Sequence, residues 1–216
     1  MMMFLKRVVC YAIGLLFMAF GVAFSVNSNL GVSPVNSLPY VISRIIHMDL
    51  GNCVIMVFSF YIFMQILIMR KEFKWINLTQ ILFSTAFGKF VDFAKWVVGD
   101  FAIPTYAGQL VMLAISILMV AVGVSLYMGV QLVNMPMEGM THAISEKIVK
   151  KLPFHDVKVI VDCISVGVGI LLCLVFLGRL EGIREGTVIC ALLVGKIMKP
   201  LKKVIDPAIQ KFCFQK

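Results

Sequence analysis

Residues 8–26 read VVCYAIGLLFMAFGVAFSV, nineteen residues without a charge, just after Lys6 and Arg7. A helix rises about 1.5 Å per residue, so this run spans most of a hydrocarbon core of about 30 Å. It is longer than a usual signal-peptide core and no A-x-A site follows, so it reads as a structural helix. A second run of the same character, AGQLVMLAISILMVAVGVSLYM, covers residues 107–128. Outward from these two, four more segments meet or approach spanning length: Cys53–Met69, Ile76–Val98, Val159–Leu177 and Ile183–Val204. Charges crowd the second half of the last.

Composition agrees with a membrane reading. Hydrophobic residues make up 61% of the chain and charged residues 14%, with mean hydropathy +0.98. A soluble domain needs more polar surface than that. The net charge of +9 comes from lysines and arginines lying mostly between apolar runs. Cytoplasmic loops collect such residues, so the charge is a topology signal and nucleic acid is set aside as a partner. Six cysteines (Cys10, Cys53, Cys163, Cys173, Cys190 and Cys213) show no CxxC spacing. They read as small apolar residues, with no disulfide framework, metal site or cofactor expected.

Two shorter, more polar segments, Ser33–Met48 and Asn134–Lys150, contain prolines or charges that argue against a lipid-facing span. With six spans and a cytoplasmic N-terminus, fifteen Lys and Arg lie inside and three outside, while Lys89 and Lys95 fall within the third span. If the short segments also cross, the split becomes thirteen to five. Both obey the positive-inside rule, and six spans obey it better. Both termini are then cytoplasmic.

The landmarks recur. At an offset of 102 residues, Gly21-Val22 matches Gly123-Val124, Leu30 matches Leu132, Pro34 matches Pro136, and Ile42-Ser43 matches Ile144-Ser145. Each half then has a short amphipathic stretch, a second apolar helix, and a third helix carrying Gly-Lys: Gly88-Lys89 and Gly195-Lys196. Three spans per half would insert the second half upside down, an inverted repeat of the kind common in transporters. The expected architecture is therefore all-α: one membrane domain over 1–216, with three-span repeats at 8–98 and 107–204. Each repeat carries a short re-entrant or interfacial helix.

The stretch Gly21-Val22 … Asn29-Leu30-Gly31-Val32-Ser33-Pro34-Val35-Asn36-Ser37-Leu38 resembles the signature of the YczE/YitT-type bacterial multipass membrane proteins, on the YczE side. The chain departs from that pattern at Asn36 and Glu138, where Asp is expected, and at Gln131 to Met135, where glycines are missing. The resemblance implies a protein of the bacterial cell (inner) membrane that transports an unnamed substrate.

Candidate chemistry lies in two places. Ser33-Pro34 and Asn134-Met135-Pro136 are helix-start signals. If the short helices dip into the membrane, their positive ends would face a cavity, with Asn36 and Glu138 in the first turn. The plain alternative is an interfacial helix whose Asn or Glu completes the cap. Lys89 falls near the middle of the third span, with Asp92 three residues on and on the same face. A charge at that depth usually faces the bundle interior and has a partner; the plain alternative is a structural pair or a snorkelling lysine. Lys196 matches Lys89 in the repeat, but snorkels to the inner surface if its helix ends near Lys199. Asp162, four residues after Lys158, reads as a local pair. His47, His142 and His155 lack ligand spacing, and no nucleophile–base pair stands out, so no enzyme is expected.

These readings converge on a transporter or uptake protein for a small anionic or zwitterionic metabolite. Its substrate-binding candidates are Lys89, Asp92, Lys196, Ser33, Asn36 and Glu138. A substrate-binding subunit working with an ATPase module, or a non-transporting scaffold or regulator, are the alternatives. The partners expected are the lipid bilayer and a small-molecule substrate, with a homo-oligomer open.

Overall fold

The computed structural model describes residues 2–152 and 154–214, apart from the side chains at 2, 155 and 214; the His155 side chain thus lies outside the description. The described residues form eight α-helices and no strand. They are α1 (Met2–Asn27), α2 (Pro34–Ile46), α3 (Leu50–Met69), α4 (Thr79–Val98), α5 (Tyr106–Val130), α6 (Pro136–Lys147), α7 (Phe154–Leu172) and α8 (Glu185–Ile209). Helical turns of other pitch link or extend them at Arg70–Glu72, Trp75–Leu78, Cys173–Leu177 and Gln210–Phe214.

Both short helices begin at the predicted prolines, whose fixed φ suits the first helical position. At 13 and 12 residues they rise only about 20 Å, too short to cross a bilayer core. The chain enters α2 through Asn29 and Gly31, at φ +55° and +110°; glycine takes the second value at no steric cost. Ser25 Oγ donates to the Gly31 carbonyl at 2.9 Å and holds this corner. At α6 the residue before the helix is Met135, not Asn134 as expected. The Glu138 carboxylate accepts from the Met135 N–H at 3.2 Å, so a carboxylate in the first turn completes the cap.

Four stretches are long and apolar enough to cross a membrane: Met3–Asn27, Leu50–Glu72, Tyr106–Val130 and Asp156–Leu177. α4 and α8 reach 20 and 25 residues but carry charges through their second halves. α8 runs beyond the expected span Ile183–Val204, through Pro200 and Pro207 to Ile209, so the condition for Lys196 to snorkel, a helix ending near Lys199, is not met. An interior proline removes one backbone bond, and here the neighbouring turns continue regardless. Lys196 therefore sits near the middle of a helix and not at its end.

The chain divides into two compact units, with the boundary inside α4 between Lys89 and Phe90. The first unit holds 1–33, 90–132 and 184–216, and is organised by α1 against α5. These two run antiparallel. Arg7 donates to the carbonyls of Val130 and Gln131 at the end of α5, each at 2.9 Å, supplying donors where a helix leaves its last carbonyls unpaired. Near the other end Ser116 Oγ donates to the Gly21 carbonyl at 2.7 Å. Between them Gly14 and Gly123 bring the backbones into contact: a Cβ on Gly123 would lie 2.5 Å from the Gly14 oxygen. Small residues allow such close approach, the usual basis of helix association in lipid. α8 packs on α5 around Leu30, Leu113, Ile117 and Cys190.

The second unit holds 34–89 and 133–183. Here α2 packs on α7 and α3, and α6 packs on α3 and α7. The α2–α7 contact is sealed by Val41, Cys173 and Ile183. Beyond it, Glu181 accepts from Arg44 and Arg179, each at 2.7 Å. On the α6 side Lys147 pairs with Glu72. Phe58 of α3 stacks on Phe87 of α4 with ring centroids 6.0 Å apart, and Gly88 lets α4 approach the Gly51 carbonyl. All six cysteines are free thiols. Four are buried, while Cys163 is exposed and Cys10 half-buried.

Candidate functional site

Within the second unit, polar residues line up along helical stripes. Tyr61 and Gln65 lie one turn apart on α3, and Gln80 and Ser84 one turn apart on α4, so each pair shares a face. All are buried; Gln65 is 3% exposed, Gln80 2% and Ser84 1%. Tyr61 Oη and Ser165 Oγ of α7 share a hydrogen bond of 3.3 Å. The Oε1 atoms of Gln65 and Gln80 and the Ser84 hydroxyl have no protein partner.

The two carboxamides meet at Gly139 of α6. A Cβ there would lie 2.9 Å from Gln65 Oε1, 3.0 Å from Gln80 Nε2 and 3.1 Å from Gln65 Nε2. The missing side chain is thus what lets both amide ends reach the α6 backbone. Glu138, the neighbouring residue, brings a negative charge to the same turn. Hydroxyl and amide oxygens that are buried without partners are costly, at roughly 1–3 kcal/mol each, and buried polar groups are normally satisfied.

The sequence-derived candidates are distributed over both units. Lys89, Asn36 and Glu138 belong to the second; Ser33, Asp92 and Lys196 belong to the first. Lys89 is exposed, against the expectation of an interior-facing lysine, and its Nζ donates to Asn52 Oδ1 in the first turn of α3 at 3.0 Å. This is where Gly88 brings α4 against α3. Asn36 is buried in the first turn of α2, and Ser33 and Asp92 are half-buried. Lys196 is exposed. Lys158 and Asp162 form the expected local pair at 2.6 Å.

Sequence reasoning passed over Gln65, Gln80 and Asn52. A signal was available. Gln65 and Gln80 stand at similar distances on either side of the charged Arg70–Lys74 link, as facing positions of an antiparallel helix pair would.

The pattern of a family of unknown function (DUF6198) matches residues 5–203. A curated relative, the uncharacterized membrane protein YczE of Bacillus subtilis (strain 168), is 25% identical over 138 residues. That match covers 63% of this chain and 62% of the relative, so the chain spans under two-thirds of the relative's length. No solved structure matches. The resemblance read from Gly21 to Leu38 is thereby borne out, and with it a multipass membrane protein.

Proposed function

We propose, on the premise that this chain belongs to the family of unknown function DUF6198, that it is a small transporter for an anionic or zwitterionic metabolite. Its two halves would be inverted repeats of three spans each, in the inner membrane of a bacterium. One observation carries the reading. The 102-residue offset maps Gly21 onto Gly123 and Gly14 onto Ser116. In the structure Gly21 abuts Ser116 and Gly123 abuts Gly14. The same contact is made twice with the roles exchanged, as a two-fold axis across α1 and α5 requires. Inverted-repeat transporters are built on such an axis.

Parity supports six spans. Antiparallel α1 and α5 need an odd number of crossings from α1 up to α5. Without α2, that requires α4 to cross along with α3, despite its charges. Two ion pairs support keeping α2 and α6 on opposite sides as non-spanning helices. Arg44 at the end of α2 meets Glu181, and Lys147 at the end of α6 meets Glu72. Six spans put each pair on one side of the membrane, the first outside and the second in the cytoplasm. Eight spans would separate both. Lys89, held at the start of α3 beside Asn52, supplies positive potential where an anionic group would be attracted.

The test is a thermal-shift screen of the detergent-purified protein against metabolites, followed by uptake into proteoliposomes with any hit. A transported ligand should raise the melting temperature in a concentration-dependent way. Stabilisation without uptake, with an ATPase co-purifying, would instead identify an importer subunit. No ligand at all would leave a scaffold or regulator. For topology, an impermeant reagent that labels a cysteine at position 72 in intact cells, in a cysteine-free background, sinks the six-span arrangement.

A further inference from the structure

We propose that Gln65, Gln80 and Ser84 form a binding site for a small monovalent cation, either an alkali ion or the ammonium group of a substrate. The inference deepens the transport reading, since such a cation would be a coupling ion or one end of the cargo. Three buried oxygens without a protein partner belong to these residues, and they come from two helices of one unit. Amide and hydroxyl oxygens replace the hydration shell of a singly charged ion, as rings of carbonyls do in selective filters. A divalent ion would call for carboxylates among the ligands, and none of the three residues has one. The unpartnered atoms set the sign: two are amide oxygens, which only accept, and the third is a hydroxyl that can turn its lone pairs inward.

Gly139 brings both carboxamide ends to one point on α6, where Gln65 Oε1, Gln80 Nε2 and Gln65 Nε2 lie 2.9, 3.0 and 3.1 Å from the position of a Cβ. The positive end of α6 would oppose a cation there. Glu138 answers this, with its carboxylate drawn onto the Met135 N–H in the same turn at 3.2 Å. Tyr61, bonded to Ser165, adds a polar, uncharged group one turn from Gln65. Weakly polar walls suit an ion that must bind and then leave.

The experiment needs no transported substrate. Purified wild-type protein is unfolded thermally at fixed ionic strength in sodium, potassium, lithium, ammonium and choline chlorides. At least one small cation should raise the melting temperature above choline, saturably. A response to alkali ions assigns a coupling-type site, and a response to ammonium alone assigns an amine site; both uphold the proposal. Gln65→Leu and Gln80→Leu should each weaken the apparent affinity by about tenfold or more. Gly139→Ala should do the same while keeping the fold, because its methyl meets only the ends of flexible side chains. Ser84→Ala serves as a milder variant if a leucine variant fails to fold. Identical melting in all five salts would overturn the proposal and leave the oxygens holding water alone. So would a shift that survives in the Gln65→Leu, Gln80→Leu double variant. Failure here leaves the transport reading standing, and failure of the metabolite screen leaves this site standing.

Discussion

The crossing of α1 and α5 makes a sharp demand on Gly123. A Cβ added there would lie 2.5 Å from the Gly14 oxygen, 2.6 Å from Met18 Cγ and 2.8 Å from the Met18 nitrogen. Two of these are backbone atoms and cannot swing aside. An ordinary carbon–oxygen contact is about 3.4 Å, so α1 must retreat by roughly 1 Å. A gap of that size forfeits a quarter to a half of each dispersion contact along the seam, where the Tyr11 and Tyr127 rings also meet with centroids 5.7 Å apart. Overpacking of this kind costs about 1–3 kcal/mol. Gly167 of α7 is the control, because nothing lies within 4 Å of a Cβ there. Gly167→Ala should be neutral or gain up to about 1 kcal/mol from helix propensity. The propensity gain is common to both glycines, so equilibrium unfolding in mixed detergent micelles, followed by circular dichroism, should separate the two variants by about 1–3 kcal/mol. Gly14→Ala combined with Gly123→Ala should cost less than the sum, since one retreat relieves both. If Gly123→Ala is as stable as Gly167→Ala, the close crossing is wrong and the reciprocal-contact argument goes with it.

Lys89→Met should cost about 1 kcal/mol or less, since it removes one exposed hydrogen bond to Asn52, yet weaken binding of a metabolite found by screening. Wild-type affinity in that variant would remove Lys89 from the site. Glu181 is held below the usual carboxylate range, foremost by its hydrogen bond from Arg44 and further by Arg179, against a smaller opposing effect of burial. A depressed folded-state value means stabilisation that is present above the unfolded value of about 4.3 and lost as pH falls through the folded one. Glu181→Gln should flatten that acid loss by roughly 0.2–1 kcal/mol, and an unchanged slope of stability between pH 3 and 6 would count against the pairing. Cys10 and Cys213 place their Sγ atoms 3.6 Å apart. Copper–phenanthroline should therefore join the chain's two ends as a disulfide, visible on a non-reducing gel after proteolysis and abolished by Cys213→Ser.

The short helices were legible because proline announces itself: Pro34 and Pro136 pre-set the first helical φ, and both helices begin there. The 102-residue offset was legible as an equivalence of residues. It carried no information about which residues touch, so the meeting of Gly21 with Ser116 emerged only from the folded crossing. α8 outruns the expected end at Val204 for a physical reason. Pro207 is an ordinary stop signal, but Ile209, five residues beyond Val204, packs its Cδ1 where a Cβ on Gly129 would lie, 2.7 Å away. A tertiary contact overrode the local stop signal. The Gln65–Gln80 cluster was missed because a lone Gln beside an apolar run carries no periodic signal, and only the placement of the pair about the Arg70–Lys74 link marked it.

Under the proposed repeat, the two halves would share a scaffold but not a site. Gly88 and Gly195 stand 107 residues apart, and the same offset carries Gln80 onto Thr187. Both place a buried oxygen without a protein partner near the start of their helices. Their settings differ. Gln80 reaches Gly139 in company with a second carboxamide, whereas Thr187 Oγ1 lies 2.6 Å from where a Cβ on Gly31 would stand, beside the Arg184 backbone nitrogen. At Thr187 the glycine, Gly31, serves a backbone corner, closed by the Gly186 N–H on the Leu30 carbonyl at 2.8 Å. A hydroxyl against a corner offers one oxygen where two carboxamides offer a cluster. Replacing Thr187 by Val should therefore leave any cation response intact while Gln80→Leu removes it, and equal losses in the two would mean that the site belongs to both halves.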